Sequence, residues 1–459
     1  MPTSDTQPTS KLDGIVKAYD IRGTVPDQLD AEIAHALGVA FASFTRASHI
    51  VVAQDMRPSG PELVEAFSRG VMEQGIDVVQ LGLASTDLLY FAAGRLDAPG
   101  AMFTASHNPA QYNGIKLCLS GARPVGVETG LVEIQAAAQA VLDGHGPLPA
   151  ARPGRATHRD LMSAFVDHVV SFIDVARLRP LRVVADTANG MGGLVVPAVF
   201  ERLAIIDLEV MYGELDGTFP NHPADPLQPA NQRDLQARVV SGGFDVGLAF
   251  DGDADRVFVV DEQGRGISGS TTTAILATTV LRAYPGATIL HNLICSRAVP
   301  EVIREHGGVP IRTKVGHSFI KQIMAETGAV FGGEHSAHYY FRENYRADSG
   351  LIASLLVLDE LSRVQQDLSV VRKPYERYSS SGEINTQVSN ANAVLDAVSA
   401  HFYESDQDRL DGLTVDCGPW WFNLRPSNTE PLLRLNLEAP NRDTCDQHVA
   451  ELLAVITST

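Results

Sequence analysis

Short apolar runs alternate with helix-length amphipathic segments along most of the chain, the pattern of layered α/β structure with parallel or mixed sheets. HIVVAQD (49–55) reads as a buried strand ending on polar residues, PELVEAFSRGVMEQG (61–75) as an amphipathic helix closed by glycine, and DVVQLG (77–82) as the next strand. The Gly/Pro/Arg-rich stretch DGHGPLPAARPGRA (143–156) reads as a linker, with a boundary near 152. The pattern restarts at LRVVADTANGMGG (181–193), a strand entering a glycine-rich turn, and FDVGLAFDGDADRVFVVDEQG (244–264) reads as strand, acidic loop, strand. Residues 287–308 and 309–328 each repeat strand, loop and helix, and GLIASLLVLDELSRVQQD (350–367) predicts a long helix. Beyond a boundary near 370 the runs alternate, as in LLRLNLEA (432–439), which predicts a small α+β domain.

Length and composition bound this picture. With 459 residues, 44% of them hydrophobic, the chain is long enough for several packed domains of ~150 residues. A formal charge of -19 repels phosphate backbones and anionic lipid, so nucleic acid and membrane are not expected partners. The four cysteines form no CxxC pair, and no apolar run approaches the ~18 residues that span a bilayer, so a reduced, cytoplasmic protein is expected. In so acidic a chain, clustered arginines gain meaning as a local anion pocket.

Two segments carry the strongest chemistry. In TASHNPAQYNGIKL (104–117), Ser106 is flanked by His107 and Asn108, and Pro109 restricts Asn108 to extended backbone and holds the preceding side chains out of a helix. A polar turn at a strand end is the plain reading and a nucleophile the sharper one; Lys116 is an amine able to return to the same site. In DGDADR, Asp251, Asp253 and Asp255 repel one another unless a cation or donors offset them, and all-oxygen donors suit Mg²⁺ better than zinc or copper. Glu262 stands twelfth from Asp251, as in an EF-hand, but Arg256 occupies the sixth position that motif reserves for glycine, and the flanks are strand-like. An acidic turn of a solvated hairpin is the other alternative.

Further along, FGGEHSAHYYF (331–341) places Glu334, His335, Ser336 and His338 after what reads as a Gly-Gly turn, a set suited to sugar hydroxyls. Zinc on His335 and His338, or histidines that merely satisfy backbone groups, are the alternatives. LRPSNTEPLLRL (424–435) joins Arg425, Ser427, Asn428, Thr429 and Arg434 in a candidate phosphate cradle, or a polar turn before a strand. KAYDIRG (17–23) adds Tyr19 and Arg22 as a weaker signal. No GxxxxGK[ST] nucleotide loop is present, which counts against a kinase.

Taken in order, S-H-N-P, D-G-D-A-D-R, G-E-H-S-A-H and R-P-S-N-T resemble the α-D-phosphohexomutase superfamily, most closely its phosphomannomutase/phosphoglucomutase group, over essentially the whole chain. The resemblance implies an α/β fold, three related mixed-sheet α/β domains (1–152, 153–258, 259–370) plus a smaller C-terminal α+β domain (371–459) around a central cleft. It implies Ser106 as a phosphoserine beside His107, Mg²⁺ held by Asp251, Asp253 and Asp255 together with the Ser106 phosphate, and Arg256 adding positive charge. Lys116 and His338 would be the acid/base residues and Glu334 and Ser336 the hydroxyl readers. Arg425, Ser427, Asn428, Thr429 and Arg434 would grip the non-reacting phosphate, with Tyr19, Arg22 and His317 in support. Two departures from the family pattern are Ala337, where glycine is frequent, and Pro426, which removes one backbone N–H.

The implied activity is an intramolecular phosphotransferase interconverting mannose 1-phosphate and mannose 6-phosphate, and also the glucose phosphates, through a hexose 1,6-bisphosphate that also serves as activator. The expected form is a monomer binding small hexose phosphates. A glucosamine- or glucose-specific mutase, or a non-catalytic sugar-phosphate-binding protein on the same fold, are the competing readings.

Overall fold

The structure is a computed structural model that describes residues 11–426 and 432–458. The chain divides into two compact units, Met1–Ile267 with His338–Leu368, and Ser268–Ala337 with Ser369–Thr459.

The first unit holds two sheets. In the first, strands Ile21–Thr24, Tyr112–Leu119, Gly100–Phe103, His49–Gln54, Asp77–Leu83 and Ala156–His158 lie side by side in that order. The last four run parallel, and Tyr112–Leu119 runs antiparallel to both its neighbours. His49–Gln54 is buried along its middle because helices cover the sheet, which is why its sequence is a continuous apolar run and not an alternating one. Helix Ala31–Thr45 starts at Asp30, whose carboxylate accepts from the Ile33 N–H, and packs on helix Gly60–Glu73. Reciprocal glycines allow that contact: a Cβ on Gly38 would stand 2.2 Å from the Phe67 carbonyl oxygen, and one on Gly70 2.3 Å from that of His35. The linker-like stretch ends by adding Ala156–His158 to the edge of the sheet, with every residue of that strand exposed.

The second sheet orders Gly266–Ile267, Val257–Asp261, Val246–Phe250, Leu181–Asp186 and Ile206–Met211. The last three are parallel and Val257–Asp261 is antiparallel to Val246–Phe250. The runs VGLAF and VFVVD are buried at every position, and the acidic loop joins them. The long predicted helix is Gly350–Val364, capped by Ser349; its first glycine sits where a Cβ would meet the Arg256 carbonyl at 2.8 Å.

In the second unit, Val309–Thr313, Thr288–Asn292 and Phe331–Gly333 form parallel neighbours. The Gly-Gly pair read as a turn is thus a strand. Its glycine content has a packing cause, since a Cβ on Gly333 would lie 2.4 Å from Thr273 in helix Gly269–Ala283. The C-terminal sheet is antiparallel in the order Ser379–Gln387, Leu432–Ala439, Trp421–Pro426, Leu413–Asp416, Asp406–Asp408. Leu433, Leu435 and Leu437 point to one face and pack in a core with Cys445, Leu452 and Ile456 of helix Arg442–Thr457, as the alternation predicts, but Asn436 and Glu438 on the other face are buried too, Glu438 accepting from Trp421 Nε1 at 2.9 Å.

Candidate functional site

Strand Gly100–Phe103 delivers Ser106 at its carboxyl end. Thr104 Oγ1 accepts from the Ser106 N–H at 2.9 Å, and the Ala105 carbonyl accepts from Asn108 N–H at 3.0 Å. Within this turn Ser106 takes the left-handed conformation, φ +51°, which costs a non-glycine residue about 1 kcal/mol or more and here turns the side chain inward. Its hydroxyl, on a residue 4% exposed, donates to Asp251 Oδ2 at 2.8 Å. His107 Nδ1 lies 3.3 Å from that hydroxyl and accepts from Arg256 Nη2 at 2.7 Å. Arg22 Nη1 reaches Asn108 Oδ1 at 2.5 Å and pairs with Asp20; the half-buried Tyr19 is electrostatically coupled to Arg22.

Strand Val246–Phe250 delivers the acidic loop. Gly252 lets it approach the serine loop: a Cβ there would fall 2.4 Å from the Ser106 carbonyl oxygen. The repulsion among the three buried carboxylates is offset from two sides. Arg256 Nε donates to Asp251 Oδ2 at 2.9 Å, and Lys116 Nζ donates to Asp253 Oδ2 at 2.7 Å and Asp255 Oδ2 at 2.8 Å. Thr86 Oγ1 adds a donor to Asp253 Oδ2 at 2.5 Å.

These neighbours sort the protonation states. Burial pushes Asp251 up to about 6 against the pull of Arg256, and burial followed by Asp253 pushes Asp255 up to about 7. Burial alone would raise Asp253, but the Lys116 charge and the hydrogen bonds from Lys116 and Thr86 together hold it below the usual carboxylate range. Conversely, burial would lower Lys116, but Asp253 and Asp255 hold it well above its ordinary value, so the ammonium is charged.

The trio has the chemistry of a hard-cation site. Its oxygens lie within 4.8 Å of one another, and Asp253 Oδ1 and Asp255 Oδ1 are buried without a hydrogen-bond partner. The strands on both sides exclude the helical flanks of an EF-hand. His338 follows the same geometry: its Nε2 stands 3.7 Å from Asp255 Oδ1 and 3.8 Å from Asp348 Oδ2, and burial lowers it to about 4 in spite of both carboxylates. The first unit therefore gathers Ser106, His107, Lys116, Asp251, Asp253, Asp255, Arg256 and His338 around one point, with Arg22 one side chain removed.

The second unit places its candidates separately. Glu334 is buried and accepts from Asn292 Nδ2 at 3.0 Å and from the Gly316 N–H at 3.4 Å, next to His317 at the start of helix His317–Thr327. Ser336 is half-buried, and His335 Nδ1 bonds with Ser270 Oγ at 3.1 Å. Ala337 has φ +65°, a conformation that glycine would adopt without strain. Arg425 and Arg434 face each other across paired strands and share Glu383, at 3.0 and 3.2 Å, which relieves their mutual repulsion. Arg425 Nε is buried with no hydrogen-bond partner. Ser427, Asn428 and Thr429 lie outside the described residues.

Five participants escaped the sequence reading: Arg57, Thr86, Asn292, Asp348 and Glu383. Only Arg57 carried a local signal, an Asp-x-Arg directly after a buried strand; Thr86, Asn292 and Glu383 are recruited by folding from segments far along the chain, and Asp348, near His338 in sequence, carried no motif of its own.

Comparison with known proteins identifies the family. Models of the phosphoglucomutase/phosphomannomutase family match in succession: alpha/beta/alpha domain I over 13–142, domain II over 163–265, domain III over 268–378 and the C-terminal domain over 383–455. The phosphohexose mutases of Xanthomonas campestris pv. campestris are 40% identical over 446 residues, 95% of this chain and 98% of theirs. The phosphomannomutase of Salmonella montevideo is 39% identical over 431 residues, 92% and 94% of the two chains. Among solved structures, a phosphoglucomutase/phosphomannomutase family protein from Burkholderia thailandensis superposes with a TM-score of 0.88 at 32% identity, covering 97% of each chain. Fold and site together define a multidomain α/β enzyme of the phosphohexomutase class. The chain belongs to the phosphoglucomutase/phosphomannomutase family.

Proposed function

We propose that the protein interconverts mannose 1-phosphate and mannose 6-phosphate, and the corresponding glucose phosphates, with Ser106 as the phosphoryl carrier. The observation that carries this reading is the Ser106 hydroxyl held 2.8 Å from Asp251 within a carboxylate trio that keeps two orphaned oxygens. Asp251, Asp253 and Asp255 would hold Mg²⁺, which when bound supplies positive charge to the transferring phosphate. Phosphorylated Ser106 gives its phosphoryl group to the free hydroxyl of the hexose phosphate: the bond to Ser106 Oγ breaks as the bond to the sugar oxygen forms. The hexose 1,6-bisphosphate turns over, and Ser106 Oγ takes back the other phosphoryl group.

Arg256, beside both Ser106 and Asp251, stabilises the charge in transfer. Lys116 is a charged donor and His338 a neutral acceptor at pH 7, the pairing needed to move protons in either direction. In the second unit, Arg425 with Ser427, Asn428, Thr429 and Arg434 grips the non-reacting phosphate, a role that the orphaned Arg425 Nε supports. Glu334 and Ser336 read hydroxyls, with Tyr19, Arg22 and His317 in support. A hexose 1,6-bisphosphate primes the unphosphorylated enzyme.

Ser106→Ala tests the reading: turnover is expected to vanish, by at least about 1,000-fold, while mannose 1-phosphate still binds in calorimetry. Full activity in that variant defeats the mechanism. A parallel assay on mannose, glucose and glucosamine 1-phosphates under Mg²⁺ with activating bisphosphate decides the sugar; turnover of the glucosamine substrate alone overturns the mannose assignment.

A further inference from the structure

Arg57 is 1% exposed, and hydrogen bonds engage all three guanidinium nitrogens. Nε donates to Asp55 Oδ2 at 3.2 Å. Nη1 donates to the carbonyls of Pro109 and Tyr112 at 2.8 and 2.9 Å, and Nη2 to those of Ser106 and Asn108 at 2.9 and 2.7 Å. Apart from Asp55, every partner is a backbone carbonyl of the loop that carries Ser106, roughly fifty positions away in sequence. The Phe219 ring lies 5.3 Å from the guanidinium carbon, and a Cβ on Gly217 would strike Arg57 Cα at 2.6 Å, so the second sheet's long loop closes over the arginine.

From this we propose that Arg57 is a positioning residue: its planar fork fixes four carbonyls of residues 106–112 and so holds the strained turn that aims the Ser106 hydroxyl at Asp251. A left-handed serine relaxes to a commoner backbone conformation unless its surroundings forbid it, and a change of φ at Ser106 would turn its side chain and its carbonyl away from their present partners together. Arg57 grips that carbonyl. Five contacts, one at Nε and two at each terminal nitrogen, use all five N–H donors of a guanidinium; an ammonium has three, so lysine cannot reproduce the pattern. Asp55, which also accepts from the Arg57 N–H at 3.0 Å, orients the fork and balances its charge.

The inference rests on Ser106 being the phosphoryl carrier, and the test separates the two. Arg57→Lys, Arg57→Ala and Asp55→Asn are compared with wild type and with Ser106→Ala for kcat, KM and the rate at which a hexose 1,6-bisphosphate phosphorylates Ser106. For Arg57→Lys, kcat and phosphorylation rate are expected to fall about 100-fold, the effect of misplacing a reacting atom by about 1 Å, with KM for mannose 1-phosphate changed less than about threefold. Added methylguanidinium should restore part of the rate to Arg57→Ala and none to Ser106→Ala. Should the Arg57 variants fail to fold, Asp55→Asn, which keeps the guanidinium but frees its orientation, is expected to lower kcat with unchanged KM. A folded Arg57→Lys at wild-type rate, a loss that only tracks the folded fraction, or unaltered kcat in Asp55→Asn overturns the inference. Turnover by Ser106→Ala overturns the reading beneath it instead.

Discussion

Burial makes the carboxylates of Asp251 and Asp255 harder to ionise in the folded chain than in the unfolded one, and this has a signed consequence for stability. Their values rise from 3.8 to about 6 and about 7, so across that window the folded state holds more protons than the unfolded state. Their contribution is therefore present at low pH and lost as pH rises through about 6 to 7. Compared with an Asp251→Asn/Asp255→Asn variant, a difference from which the opposing titration of buried histidines such as His338 cancels, the wild type in EDTA should lose stability to urea between about pH 4 and pH 7, and Mg²⁺ should flatten that difference while releasing protons as it binds near pH 6.5. Calorimetry in buffers of different ionisation enthalpy measures that release; no proton release and no slope would refute the assignment. At this scale the sequence displayed the serine, the acidic trio and a lysine ten positions from the serine. It could not display Asp348 beside His338 or Glu383 between Arg425 and Arg434, because those pairings join residues with no local periodicity in common.

Among the elements, the two loops that meet at the site are joined through a glycine. Gly252→Ala inserts a methyl group 2.4 Å from the Ser106 carbonyl oxygen, a backbone atom that cannot swing aside, so the acidic loop must retreat from the serine. Mutase kcat is expected to drop at least about tenfold with a stability loss of about 1–3 kcal/mol, the usual scale for overpacking. Gly286→Ala is the control: φ is +78° but nothing lies within 4 Å, so it should cost about 1 kcal/mol of backbone strain and no activity. Equal kinetics in the two variants would sink the claim. Elements whose burial matches their pattern were legible, as VGLAF and VFVVD show. The Phe331–Gly333 strand was not, because its last glycine answers to Thr273 on a helix sixty positions earlier. Nor was Ala156–His158, an exposed edge strand held by backbone pairing that leaves no hydrophobic trace.

Taken whole, the chain carries a net charge of -19, and in its first unit Arg22, Lys116 and Arg256 are each paired with buried carboxylates, Asp20, Asp253 with Asp255, and Asp251. No described helix is long and apolar enough to cross a membrane. The cysteines divide between surface and interior: Cys118, Cys295 and Cys445 are buried, and Cys417 is half-exposed. Burial pushes the Cys295 thiol up to about 12 and denies it a reactive thiolate at neutral pH. Mass spectrometry after brief iodoacetamide treatment of the native protein should find Cys417 labelled first and Cys295 last; early labelling of Cys295 would contradict the packing around it. By itself the sequence determined the α/β layering, the C-terminal α+β unit and the inventory of reactive groups, because hydrophobic periodicity and turn chemistry act over a few residues. Only the tertiary structure decided where that inventory is aimed. The Ser106 hydroxyl meets Asp251 across 145 positions, and Arg57 grips its loop across about fifty, because strand ends from two sheets converge there, a long-range packing outcome that no local pattern records.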